Sequence, residues 1–521
     1  MPRLTHLVPS VAVCALAATA CAGGNASSSS PSSPVDGGAQ EGGAQEGGAP
    51  ALNPPNTYVE MFKWRWPDIA TECTQFLGPN GFGAVQVSPP QESITEDAWW
   101  DIYQPVNYDV LVSDMGDAAQ FAAMVKACHA AGVRVYVDAV LNHQATGVGT
   151  GTGGSAYNEN TLEYPLFDAG DFHANCTIQP SDYDSDRDNV VNCRLEGLPD
   201  LATDQDAVRS KLASYLSSLV STGVDGFRLD SAKHMWPADI QAYLGQTPAT
   251  TLLGEPLFVT QEIVPDGTVV RSDYFATGTV NEFFFTYAVR DAFRDNNAMD
   301  ISQLPAMVGT GDGGGSYSLL PSTNATAFVD NHDTERSQTD SLNLYQDGKS
   351  FDLAMIYLLG QPYGRAQLTS GFLFTFNNTG VNAPAASPYD AQGNARVMVD
   401  WDFVHRWPDV YPMVAFRNAT TGLAMTNVHT STANALAFGR GNVGFVALNN
   451  ASSSWQETVQ TGLPAGTYCN IVHGLRAAAG GACGSDSVTV DVSGNVALDI
   501  PALGGSVVPA LVIYTGQMLG G

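Results

Sequence analysis

Residues 117–138 read DAAQFAAMVKACHAAGVRVYVD, and the change of period inside this stretch decides the fold. Phe121, Met124, Val125 and Cys128 recur at i, i+3, i+4 and i+7, one face of an α-helix. Asp117 stands where a side-chain oxygen can cap the first turn, and Gly132 can end the helix. Val133-Arg-Val-Tyr-Val-Asp138 then reads as an almost continuous strand. The unit recurs. Val208, Leu212, Tyr215, Leu216 and Leu219 form a helical face, Gly223 closes it, and Gly226-Phe-Arg-Leu-Asp230 follows as a strand. A helix near Pro237–Leu244 leads to Thr251-Leu-Leu-Gly-Glu255, read as the next strand. Such α-then-β units build a parallel sheet with helices outside.

Each of these strands ends in a carboxylate: Asp138, Asp230 and Glu255. A later segment, Ala327-Phe-Val-Asp330-Asn-His-Asp333, does the same. In a (β/α)₈ barrel, catalytic groups sit at the C-terminal ends of strands. Charges needed only for solubility would serve as well on a helix face. The expected fold is therefore α/β: a (β/α)₈ TIM barrel over residues 53–143 and 201–424. Residues 144–200, rich in Gly, Asp, Asn and Tyr, are read as a subdomain inserted after strand 3. From 425 to 521 the helical patterns stop, and short β-rich runs separated by Gly, Asn and Ser read as an antiparallel β-sandwich domain.

The chain has 521 residues, with 22 Lys+Arg against 52 Asp+Glu, a formal net charge of −30. That balance speaks against nucleic acid or anionic lipid as a partner. A hydrophobic share of 44% suits a globular protein. Arg3 and His6 precede an apolar run from Leu7 to about Ala18, too short to span a bilayer. Ala18-Thr19-Ala20 then has the small-residue form of a signal-peptide cleavage site, making residues 1–20 a leader. Residues 21–52, with the repeat GGAQE-GGAQE-GGAP at 37–50, read as a flexible linker with an end-to-end distance of roughly 30 Å. Cys21 leaves two routes open. One releases a soluble protein, and the other resembles bacterial lipoprotein processing, with lipid on Cys21. The cysteine count favours lipidation; Ala18, where a lipobox usually has Leu, speaks against it. Cys14 lies in the leader, so six cysteines remain: Cys73, Cys128, Cys176, Cys193, Cys469 and Cys483. An even count in an exported chain points to three disulfides, and six cysteines allow 15 connectivities. Pairing of sequence neighbours, Cys176 with Cys193 and Cys469 with Cys483, leaves Cys73 for Cys128.

Arg228 and Asp230 are two apart on one strand and point the same way. A guanidinium beside a carboxylate favours its charged form, as a nucleophile requires. Glu255, ending an apolar run, is the expected protonated partner. Two carboxyl groups with opposed protonation are what glycoside hydrolysis needs. Asp333 would add negative charge near a developing oxocarbenium ion. His143, His332 and Lys233 can donate hydrogen bonds to sugar hydroxyls, and Trp99, Trp100 and Tyr103, with Gln104 beside them, offer flat faces to pyranose rings.

At these residues the chain resembles a known family. DAVLNH (138–143), GFRLDSAKH (226–234), GEP (254–256) and FVDNHD (328–333) resemble the four hallmark stretches of the α-amylase family of glycoside hydrolases, and LPDL (198–201) its fifth. GFGAVQVSPPQE (81–92), WWDIYQPVNYD (99–109), AFGRGNVGF (437–445) and TGLPAGTYC (461–469) resemble the branch containing animal and actinobacterial α-amylases. The resemblance runs from about residue 53 to 521. It implies Asp230 as nucleophile, Glu255 as general acid/base and Asp333 as transition-state stabiliser, with retention of anomeric configuration. Arg228, His143, Lys233, His234 and His332 would contact substrate. Asn142, Asp200 and the backbone carbonyl of His234 would bind Ca²⁺, with a further carbonyl near Val191. The three cysteine pairs also match bridges of this branch. Of three chloride positions, Arg228 and Asn331 match two, while the third holds Gln367, a neutral amide, so activity without chloride is expected. The expected protein is a monomeric, exported, endo-acting hydrolase of starch or glycogen. A transglycosylase (glucanotransferase) would use the same motifs. A non-catalytic surface glucan-binding protein would show a broken carboxylate set.

Overall fold

A computed structural model describes residues 52–307, 317–477 and 481–520. The leader, most of the linker and Cys21 lie outside the described residues. Eight parallel strands close into a barrel: Thr57–Met61, Ala84–Val87, Arg134–Ala139, Gly226–Leu229, Phe258–Gln261, Thr279–Asn281, Ala325–Phe328 and Arg365–Ser370, hereafter strands 1 to 8. The helix read from residues 117–138 forms as Ala118–Ala130. Asp117 and Gln120 close a reciprocal capping box, and Phe121, Met124, Val125 and Cys128 are its buried face. The helix Asp206–Thr222 stops at Gly223, whose φ of +110° is open to glycine and strained for other residues.

One strand departs from the sequence reading. Thr251–Glu255 is a turn region, and strand 5 is Phe258–Gln261. The physical reason lies in Gly254-Glu255-Pro256. Gly254 takes φ +77°, and Pro256 has no N–H for a central ladder. The strand begins only after this punctuation.

Between strand 3 and the helix Asp206–Thr222 the chain leaves the barrel. It forms a short ladder, Val148–Thr150 with Ala156–Asn158, and two short helices, Asp182–Ser185 and Arg187–Asn192. Three disulfides are present: Cys73–Cys128, Cys176–Cys193 and Cys469–Cys483. The first ties two barrel helices, the second staples the insertion, and the third lies in the C-terminal domain.

That last domain is two four-stranded antiparallel sheets. The strands Ala435–Arg440 and Gly444–Asn449 are apolar on both faces, and each face has its own destination. Leu436, Phe438, Val446 and Leu448 join the barrel's core. Ala435, Ala437, Phe445 and Ala447 pack into the sandwich core. Phe438 meets Tyr357 of the barrel helix Lys349–Gly360 edge-on at 6.3 Å. The period of two along a strand thus welds the domain to the barrel.

Candidate active site

Register builds the site. Strand 4 pairs with strand 5 so that Leu229 lies opposite Gln261. The next residues, Asp230 and Glu262, therefore emerge level with each other at the C-terminal end. Strand 3 sets Arg228 opposite Asp138. Phe227 and Leu229 point into the surrounding core and are fully buried. Arg228 Nη1 donates to Asp138 at 2.7 Å and to Asp230 Oδ1 at 2.8 Å, and its Nη2 stands 2.8 Å from Glu262 Oε1. One guanidinium thus carries three carboxyl groups.

Ser231 ties the pair further. Its backbone sits in the left-handed region, φ +49°, an uncommon conformation for a side chain other than glycine. There its N–H donates to Glu262 Oε2 at 2.8 Å and its hydroxyl to Asp230 Oδ2 at 2.9 Å. Burial pushes the Glu262 carboxyl up to about 7. Arg228 and the Ser231 N–H oppose the rise, and the charges of Asp230 and Asp333 add to it. Asp333 lies at the rim with its side chain 45% exposed.

Glu255 is not part of this group. Its carboxylate pairs with Arg134 at 2.5 and 2.6 Å, and Arg134 opens strand 3 at the opposite, N-terminal end of the barrel. Its acid is held below the ordinary range by the Arg134 hydrogen bond and charge, the opposite of what a proton donor needs. The expectation for Glu255 is corrected by the geometry: the carboxyl facing Asp230 belongs to Glu262, seven positions later. A signal for it existed. Leu257-Phe-Val-Thr-Gln-Glu262 is itself a β-prone run ending in an acid, and it follows the Gly-Glu-Pro turn.

The other expected contacts divide. His332 lies between Phe62, stacked at 4.7 Å, and Tyr103, at 5.2 Å. Its Nε2 is 2.9 Å from the Tyr103 hydroxyl and 3.4 Å from Asp333 Oδ2. Tyr103 in turn donates to Asp138 at 2.8 Å. Trp99 packs edge-on against Tyr103 and His332, and Trp100 against Trp99, both half-buried. Gln104 accepts from Thr146. His143 is buried, with Nε2 3.0 Å from the Tyr103 carbonyl. Lys233 faces Asp266 at 3.3 Å and the Tyr183 ring. The His234 imidazole is turned away into the insertion, with Nδ1 2.8 Å from the Val190 carbonyl. Glu60, which sequence reading passed over, contacts His332 Nδ1 at 2.7 Å. Glu60, Asp138 and His332 place ligand atoms within 4.8 Å of one another. Both His332 nitrogens are engaged and Arg228 holds Asp138, so the trio is a hydrogen-bond chain and not a metal site.

The oxygen set expected for calcium lies where the insertion meets the barrel. Asn142 follows strand 3, and its carbonyl accepts from Leu201 N at 2.9 Å, beside Asp200. Asp200 is buried, with His173 at 2.6 Å and Asn142 at 3.2 Å. Burial pushes its carboxyl up to about 6 despite these partners. The residue that could close a turn onto the His234 carbonyl is Pro237, which has no N–H. A buried carboxylate, an amide and a carbonyl that has no turn partner among the described residues make an all-oxygen set that fits a hard cation.

Two buried carboxyl groups on one arginine, one of them protonated up to neutral pH, at the C-terminal mouth of a parallel barrel are the equipment of a glycoside hydrolase. The comparisons with known proteins narrow that class. The alpha amylase catalytic domain matches residues 71–364, and the alpha amylase C-terminal all-beta domain residues 426–510. An alpha-amylase of Tribolium castaneum is 38% identical over 468 residues, covering 86% of this chain and 92% of that protein. One from Streptomyces violaceus is 41% identical over 413 residues, covering 79% and 68%. The solved structure of a glutamate-to-glutamine mutant of alpha-amylase I from Eisenia fetida, in complex with maltohexaose, superposes with a TM-score of 0.80 at 32% identity, covering 90% of this chain and 99% of that one. The chain belongs to the α-amylase family of glycoside hydrolases.

Proposed function

We propose that the protein is an exported, endo-acting α-1,4-glucan hydrolase that cleaves starch or glycogen with retention of configuration. Asp230 is the nucleophile, Glu262 the general acid/base and Asp333 the stabiliser at the rim. The observation that carries this reading is the sharing of Arg228 by Asp230 and Glu262, with Glu262 protonated to about pH 7. Carboxyls bridged by one guanidinium suit the close pair, about 5 Å apart, of retaining enzymes. Asp230, hydrogen-bonded to Arg228 and Ser231, attacks the anomeric carbon. Glu262 gives its proton to the departing glycosidic oxygen. The resulting Glu262 carboxylate then takes a proton from water, which opens the glycosyl–Asp230 ester.

The maltohexaose bound by the Eisenia fetida relative supports a glucan substrate. Trp99, half-buried beside His332, and Trp100, half-buried against Trp99, supply ring faces for it. Calcium at Asn142, Asp200 and the His234 carbonyl would fasten the insertion to the barrel, a structural task. Activity without chloride is supported by Gln367, whose amide is taken up by Tyr58 at 2.7 Å and Glu60 at 3.3 Å. Export is supported by three disulfides, which persist in oxidising compartments. Among the described residues no helix is long and apolar enough to cross a membrane. The direct test is loss of iodine–starch colour together with product chromatography. Early mixed maltooligosaccharides fit endo action. An enzyme that leaves starch intact is no α-glucan hydrolase.

A further inference from the structure

Glu60 has no place in the reaction just described, yet it is a deeply set carboxylate beside it. It comes from strand 1 and is 3% exposed. Its oxygens face His332 Nδ1 at 2.7 Å, Gln86 Nε2 at 3.3 Å, Gln367 Nε2 at 3.3 Å and Thr369 Oγ1 at 3.4 Å. His332 and the two glutamine amides donate to it, and Thr369, whose one hydrogen goes first to the Asp330 carbonyl at 2.9 Å, adds a weaker contact, so the environment is built for an ionised carboxylate. Burial pushes its acid up, but the His332 charge and hydrogen bond, with Arg228 and Thr369, hold it below the ordinary value.

The imidazole it meets has no freedom to turn. Phe62 and Tyr103 cover its faces. Its two ring edges look in opposite directions, Nδ1 inward to Glu60 and Nε2 outward to Tyr103 and Asp333. Tyr103 donates its own proton to Asp138, so its oxygen can only accept from Nε2. Both ring nitrogens must therefore carry hydrogen at once, which only the imidazolium does.

We propose that Glu60 is a positioning residue for the reaction: its carboxylate keeps His332 doubly protonated, so that Nε2–H is presented to Tyr103 and Asp333 at the rim where substrate binds. The placement of substrate there rests on the function proposed above; the protonation state does not. The charged and titratable groups around His332 are Glu60 from strand 1, Tyr103 from the segment after Trp99, and Asp138 from strand 3. Arg228 comes from strand 4, and Asp230 and Glu262, which share its guanidinium, directly follow strands 4 and 5. Asp330, Asp333, Glu335 and Arg336 lie on its own segment, and Arg336 holds the His332 carbonyl. Burial opposes the imidazolium, Asp333 and Glu60 favour it, and the balance raises His332 to about 9.

The experiment is a ¹⁵N-histidine NMR titration of full-length wild type, Glu60→Gln and Glu60→Asp, with His332→Asn to assign the resonance. Wild type should show His332 doubly protonated at pH 7. Glu60→Gln should lower its midpoint by about 1–3 pH units, the range for losing an opposite charge in contact. Glu60→Asp should restore part of the shift. In kcat/KM on maltoheptaose, Glu60→Gln should add a second alkaline ionisation, steepening the fall from about tenfold to nearer a hundredfold per pH unit. A neutral His332 in wild type at pH 7 overturns the proposal, even if Glu60→Gln does not fold. An unchanged midpoint in folded Glu60→Gln overturns it too. Neither result touches the roles of Asp230 and Glu262, because the NMR readout is independent of turnover.

Discussion

Glu262→Gln and Glu255→Gln, compared side by side, test the assignment of the proton donor. The first replaces a buried carboxyl, raised to about 7, with an amide that cannot transfer a proton. General acid–base catalysis contributes about 10²–10⁴-fold, or about 3–5 kcal/mol of barrier at 1.36 kcal/mol per decade. Starch hydrolysis by Glu262→Gln should fall by that factor or more. With an activated aryl maltotrioside the leaving group needs no protonation, so the glycosyl–Asp230 ester should still form. Azide should then restore turnover and yield a glycosyl azide. The fold should not suffer. A carboxyl raised above its unfolded value binds an extra proton in the native state, and stability from it is lost as pH rises from about 4.5 to about 7. Removing it should leave Tm at pH 7 equal or higher. Glu255→Gln loses only a part-exposed pair with Arg134, whose guanidinium keeps the Asn53 and Gly83 carbonyls. A partner 37% exposed limits the cost to about 1 kcal/mol or less, with kcat unchanged. The reasoning is refuted if Glu255→Gln is inactive and folded while Glu262→Gln hydrolyses starch near the wild-type rate.

Three further outcomes are expected. EDTA should lower the Tm of wild type, with recovery on adding Ca²⁺, whereas Asp200→Asn should start low and gain little from Ca²⁺; equal Tm with and without chelator would remove the calcium assignment. Dialysis against chloride-free buffer should leave turnover within about twofold, since Gln367 offers an amide and not a cation; a tenfold loss restored by chloride would contradict this. Arg417 is buried beneath the barrel, donating to the carbonyls of Leu358, Gln361 and Gly364, and burial with the nearby Arg440 charge pushes its pKa down to about 9. Arg417→Met removes the donors to the Gln361 and Gly364 carbonyls, at about 1–3 kcal/mol each, while Leu358 keeps Gln361 Nε2 at 3.1 Å, so a large drop in Tm with unchanged KM is expected from calorimetry and kinetics.

How much of this was legible in the chain depends on the range of the physics involved. The helix at 118–130 and the strand at 134–139 follow from local periodicity and capping, and both form. Asp230 was readable because Arg228 lies two residues away on the same strand. Glu262 was hidden by a stronger local resemblance at Gly254-Glu255-Pro256, and only the register of strand 4 against strand 5 separates the two glutamates. Ser231 gives no sign of its left-handed backbone in a one-dimensional reading, since that conformation is imposed by Asp230 and Glu262 from two strands. Glu60 reads as one polar residue in an apolar strand. It gains meaning when strand 1, closing the barrel beside strand 8, brings it to Gln367, Thr369 and His332. Burial could be read from pattern, but most partners of buried charges could not, because they come from other strands, 90 positions away for Arg228 and Asp138 and 272 for Glu60 and His332.

The doubly apolar strands Ala435–Arg440 and Gly444–Asn449 have a consequence for anyone who would rearrange this enzyme. The point near residue 425 where helices give way to strands looks like a seam between parts. Oil runs straight through it: one side of the same sheet is floor to the barrel, and the other is wall to the sandwich. Scissors applied there would bare two greasy surfaces at once, inviting clumping of both fragments. Shuffling with a relative would need Leu436, Phe438, Val446 and Leu448 to travel together with the helix face that Tyr357 occupies. The modular look of the chain is a property of its topology, while its cohesion crosses the boundary.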